Sequence, residues 1–237
     1  MKEIFSKKIK INISIIAILI ILFIICVCWK CYAVNTTSPI GAILGSIIAG
    51  LIVALIQFGL SWWDHRMIQK IENLRLIKIL YDRDDRIYYA DLIDKSRREI
   101  RVMGTTARRF FEHFADMTTG ARPDAQVLIS ALNRGVKVKL LLPSKDYIAL
   151  NKIADYKQVS ETLNTIKQKY PHAEIEIRYF DHIPAHSIFM VDSECIVGPV
   201  FEKVESKNTP ALHLKNESPF AEKYVAYFEQ EWNAIHG

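Results

Sequence analysis

Two long stretches without a charged side chain decide most of what this chain can be. Ile11–Trp29 is 19 residues long, with Asn12 and Ser14 its polar members. Ile40–Trp63 follows, with Gln57 its one strongly polar side chain. At about 1.5 Å of rise per residue, each stretch is long enough to cross ~30 Å of hydrocarbon. A signal peptide has a shorter apolar run that ends in small residues before a cleavage site. Here the first run ends in Cys28, Trp29 and Lys30. The sequence therefore predicts a tail over residues 1–10 and a two-helix transmembrane hairpin over residues 11–63.

The flanking charges predict the orientation. Lys2, Lys7, Lys8 and Lys10 precede the first run, and His65, Arg66, Lys70, Arg75 and Lys78 follow the second. The segment between them carries only Lys30, so the positive-inside rule places both termini in the cytoplasm. Trp29, Trp62 and Trp63 stand where interfacial aromatics belong. The expected location is a bacterial inner membrane, crossed more than once, with the lipid bilayer as a partner. No ionisable group lies inside either run, which argues against a transporter or proton relay. The net charge of +5 suits an anionic membrane surface or a nucleic acid and selects neither. Cys26, Cys28, Cys31 and Cys195 show no metal-binding spacing and read as free thiols.

The second run carries small residues at helical spacing. Ala42, Ser46, Gly50 and Ala54 form one row, and Gly41, Gly45 and Ala49 form a second beside it. Small side chains let membrane helices approach closely. The partner is either the first span or another copy of the chain, giving an oligomer that perturbs the bilayer.

A connector helix is expected over residues 64–84, helical to about Tyr81, with Met67, Ile71, Leu74 and Tyr81 as a weak apolar seam. The charge-dense run from Tyr81 to Arg86 reads as a solvated hinge. Residues 85–237 then alternate strand and helix, which predicts an α/β domain with a central sheet flanked by helices. Helices are expected at Arg86–Arg97, Asp124–Asn133, Asn151–Lys169 and Ser218–His236. Strands are expected at Glu99–Gly104, Val136–Leu142, Ala173–Phe180, Ser187–Asp192, Cys195–Gly198 and Leu212–Leu214.

The segment from His186 to Pro199, HSIFMVDSECIVGP, and the terminal pair Phe228 and Trp232 carry a family likeness. With the preceding ALNRGVKVKLLLPS unit, residues 85–235 resemble one half of a phospholipase D-like domain. Active members carry H-x-K-x4-D, followed by a Gly-Ser or Gly-Pro turn. The resemblance implies a histidine nucleophile, a lysine that neutralises phosphoryl oxygens and an aspartate that orients a histidine. In this chain His186 takes the histidine position, Ile188 the lysine position, and Asp192 arrives one residue early. The motif therefore reads as degenerate, and the domain looks like the catalytically inactive, ligand-binding versions of the family. If it is active, His186 and Asp192 are the catalytic candidates, and Arg178 stands in for the lysine only if the fold brings it there. Active single-motif members dimerise, so the resemblance also implies at least a homodimer.

Thr105, Thr106, Arg108 and Arg109 follow the first domain strand, at the edge where parallel sheets bind ligands. Two hydroxyls and two guanidiniums suit a phosphate; the same residues also suit a solvated helix start. Asp181, His182 and His186 lack a third metal ligand in sequence reach, and His113 and His213 read as lone structural histidines. No cofactor and no metal is expected.

The layout, two spans with almost no external mass, resembles the two-span effectors of bacterial antiviral systems. Those include transmembrane toxins paired with retrons and membrane effectors of cyclic-nucleotide signalling. This resemblance implies a toxic effector that perturbs the membrane, regulated by a nucleotide or nucleic-acid-containing partner. The alternative is a membrane-tethered phosphodiesterase or nuclease that uses His186.

Overall fold

The computed structural model describes Ile18 and residues 20–33, 39–201 and 203–235. The chain divides into two compact units, Met1–Lys70 and Ile71–Gly237.

In the first unit, helix α1 (Ile20–Ala33) precedes helix α2 (Pro39–Asn73). Pro39 opens α2, where a missing backbone N–H costs nothing. Among the described residues, one helical stretch is long and apolar enough to cross a membrane: Pro39–Trp63, 25 residues with a mean hydropathy of 2.5. The first expected span lies partly outside the described residues, and Ile20–Ala33 is its described helix.

The sheltered positions follow a heptad rhythm. On α1 they are Ile21, Ile25, Cys28 and Tyr32; on α2 they include Gly45, Ile48, Leu51, Leu55 and Phe58. That spacing makes a seam between helices. Tyr32 lies over Gly45, where a Cβ would meet its ring at 3.4 Å. The two small-residue rows therefore part company. Gly41 and Gly45 belong to the sheltered seam, whereas Ala42, Ser46, Gly50 and Ala54 are all exposed, as is Ala49. The Ser46 hydroxyl donates to the Ala42 carbonyl at 3.1 Å, within its own helix.

The second unit is built on a seven-stranded sheet: β1 (Leu76–Leu80), β2 (Glu99–Met103), β3 (Lys137–Pro143), β4 (Ile175–Phe180), β5 (His186–Val191), β6 (Glu194–Pro199) and β7 (Ala211–Lys215). The order across the sheet is β1-β7-β6-β5-β2-β3-β4. Strands β2, β3 and β4 are parallel, and every other neighbouring pair is antiparallel. Helices α3 (Arg86–Lys95), α4 (Arg108–Phe114), α5 (Val127–Asn133) and α6 (Ile153–Lys169) accompany this sheet, with α7 (Ala221–Ala234) closing the chain. One core joins Ile93, Leu128 and Ile166 to the β2–β3 face through Ile100, Val138 and Leu140. The core on the other face sets Phe228 and Trp232 of α7 over Met103, Leu141, Ile188 and Met190. Alternating side chains along each strand feed the two cores. The Phe228 and Trp232 rings stack at 5.8 Å, which accounts for their spacing of four on one helix face.

The expected connector helix ends early. Helix α2 stops at Asn73, Arg75 adopts a left-handed turn (φ 46°), and Leu76–Leu80 forms β1 on the open edge of β7. Leu74 and Tyr81 form no seam, being 40% and 86% exposed. The segment LIKIL has two isoleucines that suit a strand, and Lys78 is drawn to Asp85 and to the Tyr88 ring. Pairing with β7 overrides a helical spacing that is only four residues strong.

Candidate functional site: the carboxyl edge of the sheet

The strand directions bring one set of ends together. The carboxyl ends of β1, β2, β3, β4 and β6 and the amino ends of β5 and β7 form a single rim. Open α/β sheets bind ligands at such an edge.

His186 opens β5 opposite Pro199. Its ring meets the edges of Tyr224 and Tyr227 on α7, with centroids at 5.3 Å and 6.0 Å. Ile188, two residues on, shares this face and is fully buried in the core beneath α7. The position that would need a lysine is therefore hydrocarbon, and an ammonium there would lose its water without gaining an anion. A cavity of about 330 Å³ adjoins His186, walled by Ile79, Pro199, Pro210, Phe220 and Tyr224 among others. It offers one imidazole in otherwise apolar and aromatic walls.

Asp192 sits past the far end of β5, in the tight turn to β6, with φ at +50°. At about 3.3 Å per residue it lies roughly 20 Å from His186. Its carboxylate accepts the backbone N–H groups of Arg97, Arg98 and Glu99 at 2.8, 2.9 and 3.0 Å. Burial opposes its ionisation, but these donors outweigh burial and hold the carboxyl below its ordinary range. Strand β5 is regular from His186 to Val191, and its length separates His186 from Asp192 in the turn beyond it. The strand expected over Cys195–Gly198 is β6, whose last two residues are Gly198 and Pro199.

Arg178 is occupied elsewhere. It stands on β4, three strands from β5, and donates to the carbonyls of Trp232 and Ile235 at 2.6 and 3.0 Å. Its guanidinium lies 4.5 Å over the Trp232 ring, so it fastens the end of α7.

Thr105, Thr106, Arg108 and Arg109 do lie at the rim, on the turn into α4. Thr106 is buried, with its hydroxyl accepting the Arg108 N–H at 3.4 Å. Arg108 pairs with Glu112 at 2.8 Å and Asp155 at 3.3 Å, and Arg109 pairs with Asp84. Both guanidiniums are thus held by carboxylates. His182 lies 3.3 Å from Glu231, and no metal-holding group of three ligands exists among the described residues.

Two clusters at this sheet carry no sequence signal. Arg83, inside the expected solvated hinge, is only 8% exposed. It donates to the carbonyls of Ser206 and Pro199 at 2.9 and 3.1 Å and to the Thr209 hydroxyl. Burial, with Arg109 nearby, lowers its pKa, and its bonds pin the β6–β7 loop to the rim. His213 is 1% exposed, with the Tyr88 hydroxyl on Nδ1 and Glu194 3.0 Å from Nε2. Burial lowers its pKa more than Glu194 raises it. Nothing in a run of strand residues tells which loop or helix will cover each side chain.

No known family profile and no curated protein matches the chain. Among solved structures it is similar to TrmBL2, an archaeal chromatin protein with a novel mode of DNA binding. That likeness has a TM-score of 0.44 and 12% identity, over 81% of this chain and 70% of that one. It is also similar to Nuc of Salmonella typhimurium, a phospholipase D family member, with a TM-score of 0.42 and 20% identity, over 67% of this chain and 95% of that one.

Proposed function

We propose that this is a membrane-anchored protein whose α/β domain binds a ligand or partner without cleaving it. The hairpin then acts on the inner membrane, as the toxic effector of an antiphage, abortive-infection system. The observation that carries the non-catalytic reading is Ile188, fully buried where a phosphoryl-neutralising lysine would stand. Asp192 and Arg178, the other candidate helpers, are both engaged away from His186. The cavity beside His186, with its aromatic and apolar walls, supports binding rather than hydrolysis. The purified chain is expected to hydrolyse an activated phosphodiester no faster than its His186→Ala variant. A histidine-dependent rate, lost by about a thousandfold or more in that variant, would establish the enzyme instead.

The second reading is a tethered phosphodiesterase or nuclease of phospholipase D type. The place of His186 at the carboxyl edge favours it, and a second histidine would then come from another copy.

The exposed row Ala42, Ser46, Gly50 and Ala54 supports the effector reading. A Cβ at Gly50 would have no neighbour within 4 Å, so leucine fits the single chain. It would obstruct only a contact between copies, because helix association in lipid depends on close fit. Gly50→Leu protein is expected to reach the membrane at normal levels and to lose most of its ability to admit an impermeant dye on overproduction. Ile52→Leu, a change at a position already 46% exposed and large, should leave dye uptake unaltered. Full dye uptake in both Gly50→Leu and Ser46→Leu would reduce the hairpin to an anchor.

A further inference from the structure

The exposed apolar side chains of the second unit are not spread evenly. The four most exposed are Leu150 at 87%, Tyr81 at 86%, Ile183 at 75% and Ile87 at 74%. Tyr81 follows β1, Leu150 lies between β3 and α6, and Ile183 lies between β4 and β5; Ile87 is in the first turn of α3. All four stand at the carboxyl rim, and Phe201, 48% exposed after β6, joins them. Among the described residues, the loops of the opposite edge carry Leu74 at 40%, whereas Phe220, at 38%, walls the rim cavity beside His186. Separate loops that converge at one edge have each kept a large apolar tip in water, which costs solubility and needs a compensating surface.

One apolar surface is always within reach. The membrane-crossing stretch ends at Trp63, and α2 continues to Asn73, ten residues or about 15 Å further. Strand β1 begins at Leu76. So short a tether holds the domain at a high effective concentration beside the bilayer. The tips also have interfacial chemistry. The aromatics Tyr81 and Phe201 join the branched aliphatics Ile87, Leu150 and Ile183, and Lys145 and Lys152 flank Leu150. The acids Asp146 and Asp155 lie among these lysines, so insertion of apolar tips rather than net charge must carry the attraction.

We propose that the carboxyl rim docks on the lipid surface of the membrane that anchors the chain, through the tips of the β1–α3, β3–α6, β4–β5 and β6–β7 loops. This rests on the membrane-anchor reading and adds a second, reversible contact to it. Ligand binding at the cavity beside His186 would then compete with, or be tuned by, the bilayer.

The test uses the full chain in liposomes containing a phospholipid with a photoactivatable group near its headgroup, with adducts mapped by mass spectrometry. Adducts are expected within Pro39–Trp63 and within rim peptides holding Tyr81, Leu150 and Ile183. The double variant Leu150→Asp with Ile183→Asp should lower rim adducts about tenfold and leave those in the span unchanged. Circular dichroism of that variant should match the parent, because both sites are solvent-exposed. A labelled span with an unlabelled rim overturns the docking alone. An unlabelled rim cross-linked to a second copy also overturns it, and assigns the tips to a dimer. A chain labelled in neither region overturns docking and anchor together, whereas a labelled rim with an unlabelled span removes the anchor and keeps the docking.

Discussion

Gly198→Ala protein is expected to melt about 10 °C below the parent, and Gly198→Val is expected not to accumulate as folded protein. A Cβ at Gly198 would lie 2.3 Å from the Pro210 carbonyl oxygen and 3.2 Å from the Ala211 Cβ. That oxygen belongs to backbone at the entry of β7, so it cannot swing aside as the end of a side chain would. The clash must be relieved by parting β6 from the chain that covers it. Overpacking of this kind costs about 3 kcal/mol even for one methyl group. Gly104→Ala is the matched control: its nearest atom is the Ser187 hydroxyl at 4.0 Å, an ordinary contact, and its melting point should stay within about 2 °C of the parent. Thermal unfolding followed by far-ultraviolet circular dichroism measures all three. Equal melting of Gly198→Ala and the parent would mean that the entry of β7 is not held against β6 as described.

Asp192→Ala should cost about 3 kcal/mol, because three backbone donors at the start of β2 lose a charged acceptor together. Alanine also tolerates the left-handed turn poorly. Asp192→Asn keeps the turn preference and one acceptor oxygen, so its loss should be about half as large. The pH dependence identifies the cause. A carboxyl whose folded-state pKa is depressed contributes stability above its unfolded pKa of about 3.9, and that stability disappears as pH falls through the lower folded value. In Asp192→Asn the stability loss below about pH 4 should be shallower than in the parent. His213, also depressed, acts in a separate window: its buried neutral ring costs stability as pH falls below about 6.5. That upper limb should persist unchanged in both Asp192 variants. Urea midpoints between pH 3 and 7 separate the two limbs. An Asp192→Asn curve parallel to the parent at every pH would show that the carboxylate charge does not cap β2.

How much of this was legible depended on the range of the interaction. The apolar stretch Pro39–Trp63 is readable from composition, because spanning hydrocarbon is a property of one continuous segment. Alternating and helical patterns likewise located β2 to β7 and α3, α5, α6 and α7, since each element turns one face to a core. The absence of a lysine two residues after His186 needed only the letters, and Ile188 in the core gives that absence its meaning.

What the letters could not hold was everything set by contacts distant in sequence. Residues 76–80 became a strand because β7 offered an open edge more than 130 positions later. Arg83 left its charged run for the carbonyls of Pro199 and Ser206, so a segment that looks solvated is buried. The two small-residue rows of α2 were equivalent as letters, and only the rotation of α1 placed Tyr32 on Gly45 and left Gly50 in the open. Asp192 and His186, six apart, read as partners, yet a strand rising about 3.3 Å per residue carries them to opposite edges of the sheet. Local sequence sets periodicity and hydrophobicity; which partner occupies each face is a matter of tertiary packing, and there the role of each candidate residue was decided.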